Sequence, residues 1–195
     1  MRIIAGEFRG RKLLPPEGDV TRPITDRVKQ SLFDILTPLL PEARVYDCFA
    51  GTGSMGLESL SRGAAHATFF EADRGGLTRL RRNIDTLGCA DQARVIPGNL
   101  FRWFAAASND PKPDARANLI FLDPPYRFLR EQPEKLRELA ANMARSHLAP
   151  KGIMIFRHDA RDVLELPPLE RYDVREYGGM TLEFLRNQET LNDEH

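Results

Sequence analysis

A chain of 195 residues, 42% apolar and 29% charged, is long enough to bury a core of its own and has the composition of a globular domain. Its 28 Lys and Arg balance 28 Asp and Glu, so no global field draws a polyanionic partner, and no apolar run nears the roughly 20 residues of a membrane span. Two cysteines without CxxC spacing, four scattered histidines and no signal-peptide core exclude a disulfide framework and a metal cluster, and a cytoplasmic setting is expected.

The amino end is locally basic: residues 1–30 hold seven Arg or Lys against four acids, a net of +3. Residues 2–14 read as two short strands around a glycine-containing turn, closed by Pro15-Pro16. A Gly- and Pro-punctuated loop over 17–24 follows. Thr25 or Asp26 then caps a helix with apolar positions Val28, Leu32, Phe33, Ile35 and Leu36, stopped at Pro38.

From Ala43 the pattern alternates strand and helix, which predicts a mainly parallel sheet covered on both faces. Strands are expected at 44–49, 67–71, 93–96, 119–122 and 152–157. Helices are expected at 54–62, after 67–71 with an apolar stripe at Leu77, Leu80, Ile84 and Leu87 and Gly88 as its cap, at 100–107, and at about 133–147 with Leu136, Leu139, Met143 and His147 facing inward. Residues 108–115 form a loop. Two last runs, 172–177 and 181–185, flank Gly178-Gly179 as a terminal hairpin. Residues 187–195 are acidic and expected to be disordered.

Two stretches carry chemistry. Gly51-Thr52-Gly53-Ser54-Met55-Gly56 fits GxGxxG between a strand and a helix, and Glu71 ends the next strand 20 residues after Gly51. Glycines let backbone approach a ligand, and an ionised carboxylate suits a ribose hydroxyl pair, so an adenosine-containing cofactor is expected. Asp47, four residues before Gly51, would repel a pyrophosphate but attract the ammonium of an amino-acid ligand. S-adenosylmethionine has that ammonium, an adenosine and no phosphate. The competing reading of Asp47 is a strand-end carboxylate that caps the loop backbone.

The second stretch is Leu119-Ile120-Phe121-Leu122-Asp123-Pro124-Pro125-Tyr126. The apolar run suits a buried strand, and two prolines end it because neither donates to a ladder. At the carboxyl end stand a carboxylate, a proline carbonyl and an aromatic ring. Those groups suit a planar ligand bearing an exocyclic NH2. A plain strand terminator with a capping Asp and a packed Tyr is the bland alternative.

Taken together, Asp47, Gly51-Thr52-Gly53, Glu71, Asn99 and Asp123-Pro124-Pro125-Tyr126 resemble the motifs of class I S-adenosylmethionine-dependent methyltransferases that act on amino nitrogens. The amino-terminal Arg2-Ile-Ile-Ala-Gly-Glu-Phe-Arg-Gly-Arg-Lys-Leu, Arg22-Pro-Ile-Thr-Asp-Arg-Val-Lys and Asp47-Cys-Phe-Ala-Gly-Thr-Gly-Ser-Met-Gly are similar to the RsmD family of guanine-N2 methyltransferases of small-subunit (16S) ribosomal RNA.

That resemblance implies an α/β, Rossmann-like domain over 24–186. Its mainly parallel seven-stranded sheet would end in an antiparallel hairpin, with a small basic β-hairpin extension over 1–23. It implies Asp123, Pro124 and Tyr126 as catalytic residues, and Asp47, Gly51, Gly53, Glu71, Asn99, Leu100 and Arg27 as cofactor-binding ones. Asn99, with the backbone of Leu100, would meet the adenine edge. Family members often have Asp where Asn99 stands, and the amide lacks that charge. Arg9, Arg11, Lys12 and Arg127 would contact RNA, and Arg130 is a further candidate for phosphate. The partner would be 16S rRNA within an assembled or nearly assembled small subunit, met by a monomer, with no metal and no membrane. Three alternatives stay open: another amino acceptor (adenine N6 or a protein glutamine), an NAD-dependent oxidoreductase, or an inactive RNA-binding module.

Overall fold

The computed structural model describes residues 1–16 and 24–187; most of the loop expected over 17–24 and of the tail expected over 187–195 lie outside the described residues. The chain divides into two compact units, Met1–Gly98 and the residues from Asn99 onward.

In the first unit three parallel strands, β1 (Arg44–Cys48), β2 (His66–Glu71) and β3 (Ala93–Pro97), lie in the order β3-β2-β1. Pairings Cys48↔Phe70 and Phe70↔Ile96 bring their carboxyl ends level. Helices α1 (Asp26–Leu36), α2 (Ser54–Ser61) and α3 (Arg74–Leu87) pack on them. Thr25 caps α1 by accepting from the Val28 N–H at 3.3 Å, as expected, and Gly88 ends α3 at φ 72°. Leu32, Phe33, Leu36, Leu57, Phe69, Phe70 and Leu80 are buried among these elements.

The extension at residues 2–14 differs from the expected pair of strands. Only an isolated antiparallel bridge, Arg2↔Lys12, forms. The Ile3 and Leu13 N–H groups bond the Arg11 and Met1 carbonyls at 3.0 and 3.1 Å across that bridge, but Gly6 and Gly10, at φ 82° and 81°, coil the chain between, and three of its N–H groups turn to side chains. Ile4 and Ala5 donate to Glu58 at 2.8 and 3.1 Å, and Phe8 donates to Ser61 Oγ at 2.9 Å. Glu58 is fully buried beside Lys29, whose Nζ lies 3.1 Å away, and Arg62 Nε donates to it at 2.9 Å. Burial pushes the Lys29 ammonium below its ordinary pKa, with Glu58 opposing that shift.

In the second unit β4 (Ala117–Leu122) and β5 (Leu148–Asp159) run parallel, and β7 (Met180–Asn187) lies antiparallel between β5 and β6 (Leu169–Tyr177). The expected hairpin turns at Gly178-Gly179, both at positive φ. The expected helix over 133–147 is α6 (Pro133–Asn142), ending in a π turn over Met143–His147; α4 (Leu100–Ala105) and a short, unexpected α5 (Arg127–Glu131) precede it. Pro133 starts α6, where its missing N–H is no loss. His147 faces inward as expected, its ring 4.7 Å from that of Phe104 and 5.4 Å from that of Trp103. The seven strands of the described residues, mostly parallel with an antiparallel terminal pair, match the α/β class read from the sequence. Among those residues no helix is long and apolar enough to cross a membrane.

Candidate functional site

The candidate residues fall into two clusters, one in each unit. In the first, β1 ends at Cys48 and the chain turns through Phe49, at φ 60°, into the glycine loop. A positive φ at a bulky residue is a strained conformation, and such strain gathers at binding loops. Gly51 and Gly53 also have positive φ, 56° and 83°. Packing explains two of the glycines: a Cβ on Gly53 would come within 2.4 Å of Leu80 Cδ1, and one on Gly56 within 2.3 Å of Phe69 Cε1. A Cβ on Gly51 would meet nothing within 4 Å, so the backbone there borders open space.

Asp47 is buried at 2% exposure, and its Oδ2 accepts from the Gly56 N–H at 2.8 Å. That is the loop-capping role weighed against ammonium binding in the sequence. Glu71, at the neighbouring strand's end, accepts from the N–H groups of Gly51 at 2.6 Å, Ala72 at 2.7 Å and Asp73 at 2.6 Å. The structure thus joins the GxGxxG loop and its distant acid directly. Asp73 caps α3 by accepting from Gly76 N–H at 2.7 Å, and a Cβ on Gly76 would lie 3.3 Å from both Glu71 and the Gly51 carbonyl. Two acids, open space over Gly51 and a close-packed glycine at a helix start fit an adenosine ligand with a positively charged amino-acid end. Arg27 stands exposed on α1.

Sequence reasoning passed over Asn83 on α3. Its side chain is 1% exposed, donates to the Thr52 carbonyl at 2.9 Å, and accepts from the Leu14 N–H at 2.8 Å. One amide therefore ties the glycine loop to the amino-terminal extension. A buried polar residue on the inner face of an amphipathic helix was the available signal. Asn83→Ala is expected to lower the unfolding free energy by about 1–3 kcal/mol, because a buried carbonyl and an N–H lose their partner. Urea melts at matched protein concentration measure it.

The second cluster lies at the end of β4. Asp123 is half-buried, Pro124 buried, and Tyr126 half-buried where it opens α5. Register explains the partner of Asp123: Phe121 lies opposite Ile155 and Leu122 opposite Phe156, so the next pair is Asp123 and Arg157. Arg157 Nε donates to Oδ1 at 2.7 Å and Nη2 lies 2.6 Å from Oδ2, a two-pronged grip. Arg157 is 8% exposed and escaped the sequence reading, although a charge at the end of a buried strand was the clue.

Asn99 and Leu100 also belong to this unit. Asn99 is exposed and caps α4, its Oδ1 accepting from the Arg102 N–H at 3.3 Å, while Leu100 is buried. Arg9, Arg11, Lys12 and Arg127 are all exposed; Arg11 Nη2 donates to the Thr86 carbonyl at the end of α3. Arg130 is drawn into an ion pair with Asp162 at 2.8 Å. Among the described residues no group of three or more His, Cys, Asp or Glu could hold a metal ion.

The family model described as Conserved hypothetical protein 95 matches residues 1–186. The chain is 46% identical over 127 residues to Ribosomal RNA small subunit methyltransferase D of Escherichia coli (strain K12), a match covering 65% of this chain and 61% of that protein. It thus spans less than two thirds of that curated relative's length. The solved structure of the Escherichia coli protein yhhF matches at TM-score 0.79 and 33% identity, over 96% of this chain and 97% of that one. An RNA methyltransferase from Salinibacter ruber, solved in complex with S-adenosyl-L-homocysteine, shares the fold at TM-score 0.61 and 15% identity, over 86% and 95% of the two chains.

Proposed function

The chain belongs to the RsmD family, whose model is described as Conserved hypothetical protein 95, and from that membership we propose that it methylates the exocyclic N2 of a guanine in small-subunit ribosomal RNA. Its fold is the Rossmann-like one of class I methyltransferases. The observation that carries the reading is the reach of the family match, which takes in the basic amino-terminal stretch as well as the glycine loop and Asp123-Pro124-Pro125-Tyr126. S-adenosylmethionine, when bound, supplies an electrophilic methyl carbon on a positively charged sulfur.

The chain's own residues do the rest. Glu71 and the backbone around Gly51 hold the adenosine end, and Asp47 steadies the loop while offering negative charge to the ammonium. Guanine N2 is a weak nucleophile because its lone pair is delocalised into the ring, and attack builds positive charge on it. The Asp123 carboxylate and the Pro124 carbonyl accept from that NH2 and favour the charge. Tyr126 stacks on the base, which must be unstacked from its helix to present N2. The new N–C bond would form as the methyl–sulfur bond breaks, its electron pair staying on sulfur to give S-adenosylhomocysteine, and one N–H proton would leave to solvent.

Incubating the protein with tritiated S-adenosylmethionine and small-subunit particles from cells lacking it should label 16S rRNA as N2-methylguanosine. Label in adenine or in protein would overturn the guanine assignment. Comparing particles with naked RNA tells which is the substrate; we propose the particle, in the cytoplasm, met by a monomer.

The exposed Arg9, Arg11 and Lys12 are proposed to neutralise RNA phosphates. Reversing all three is expected to flatten the slope of log K against log salt by about 2 or more, since each phosphate contact contributes about 0.7–0.9. An unchanged slope, read from filter binding across a salt series, returns them to the solvated surface.

A further inference from the structure

We propose that Arg157 is a positioning residue for methyl transfer, its guanidinium fork fixing both oxygens of Asp123 so that each keeps an acceptor position turned to the amino group being methylated. The inference rests on the reading of Asp123 given above and adds to it a residue on a different strand.

Asp123 follows the last residue of β4, and its side chain is 23% exposed. A carboxylate there is free to turn about two side-chain bonds, and only some of those orientations present an oxygen to an incoming amine. Arg157 removes the freedom. Its Nε takes Oδ1 at 2.7 Å and its Nη2 takes Oδ2 at 2.6 Å, so rotation would break two charge-assisted hydrogen bonds at once. The guanidinium is itself enclosed: Arg157 is 8% exposed, and Nη1 lies 3.9 Å from the sulfur of Met180, which is buried on β7. Each carboxylate oxygen accepts one bond from the fork and retains capacity for another. The planar fork matters, not only the charge. A lysine ammonium at the same place is a point donor and cannot span two oxygens in the same way.

A pair that served only to stabilise the fold would make a different set of predictions. Arg157→Lys and Arg157→Ala in the full chain separate the two. The expected result is a fall in kcat of about 10²-fold for Arg157→Ala, the loss that follows when a reacting group is misplaced by about 1 Å. The KM for RNA and the calorimetric affinity for S-adenosylhomocysteine should stay within a few-fold. Arg157→Lys should remain impaired despite keeping the charge, and millimolar ethylguanidinium should restore part of the kcat of Arg157→Ala by refilling the space.

Wild-type kcat in Arg157→Lys overturns the proposal, as does a loss in Arg157→Ala that ethylguanidinium leaves untouched. Should Arg157→Ala fail to fold, Arg157→Lys still decides. Asp123→Ala is assayed beside them. Turnover surviving in that variant sinks the role of Asp123 itself, whereas an inactive Asp123→Ala beside a fully active Arg157→Lys sinks only the role of Arg157.

Discussion

Asp123→Ala is expected to slow methyl transfer by at least about 10²-fold while affinity for S-adenosylmethionine stays within a few-fold. One well-placed electrostatic partner at a transition state contributes about 3 kcal/mol, or roughly a hundredfold in rate. Alanine does more than delete that partner. It leaves the guanidinium of Arg157, 8% exposed, without the carboxylate it grips, and a cation no longer offset by that carboxylate opposes positive charge building on the nitrogen. The variant should therefore also lose stability, because breaking a largely buried pair from one side is worse than removing it whole. Adding Arg157→Met to Asp123→Ala is expected to recover stability but not turnover. Asp123→Asn keeps the shape, yet its amide offers the fork one oxygen and one unwelcome NH2, so it too should be slow. Single-turnover transfer of tritiated methyl and calorimetry with S-adenosylhomocysteine give the two numbers. Transfer within about threefold of wild type would falsify the assignment.

The largest effect on folding is expected from Glu58→Ala. Glu58 is fully buried and serves four donors: the N–H groups of Ile4 and Ala5, Lys29 Nζ and Arg62 Nε. Removing it leaves two backbone donors unpaired and an ammonium, 1% exposed, without its carboxylate and with the Arg2 carbonyl at 2.6 Å and Ser54 Oγ at 3.3 Å as neutral acceptors. Breaking one side of a buried ion pair costs about 3–5 kcal/mol, and that range is the expected fall in unfolding free energy. Lys29→Met in the same chain should return part of it by removing the orphaned charge, while the two N–H groups stay unpaired. Arg62 keeps other company, with its guanidinium 5.1 Å from the Phe33 ring centre and 3.7 Å from Asp34. Urea unfolding supplies the energies, and hydrogen exchange at Ile4 and Ala5 should accelerate first. A loss below about 1 kcal/mol with slow exchange at both amides would mean the cluster is passive.

The fold was legible where periodicity and punctuation agreed. Strand, glycine loop and acid at Asp47–Glu71 were read at nearly their observed bounds because each element announces itself within a few residues. The run ending in Asp123-Pro124 was equally plain, since proline fixes where a strand stops. What escaped the sequence needed contacts far apart in the chain. Arg157 meets Asp123 only through the parallel register of β4 on β5. Asn83 reads as one more polar residue on an arginine-rich helix until Thr52 and Leu14 are seen at its amide. At residues 2–14 the local pattern favoured two strands; one bridge between the arms forms, while acceptors on α2 took the N–H groups of Ile4, Ala5 and Phe8. The sequence also posed two roles for Asp47, and the Gly56 N–H at 2.8 Å shows the capping one in place.

The way Gly6 is seated has a consequence for partner binding. Any side chain there would collide with Ser61, whose carbonyl lies 1.7 Å from where a Cβ would stand, and Glu7 N–H bonds that same carbonyl at 2.7 Å. An arm that folded only upon meeting its target would surrender several kcal/mol to ordering and would show a large negative heat-capacity change. The stretch bearing Arg9, Arg11 and Lys12 is instead bolted down beforehand. The backbone that carries them is ordered before any partner arrives, so for the RNA contact proposed above titration calorimetry should find a modest heat-capacity change and association limited by diffusion and salt.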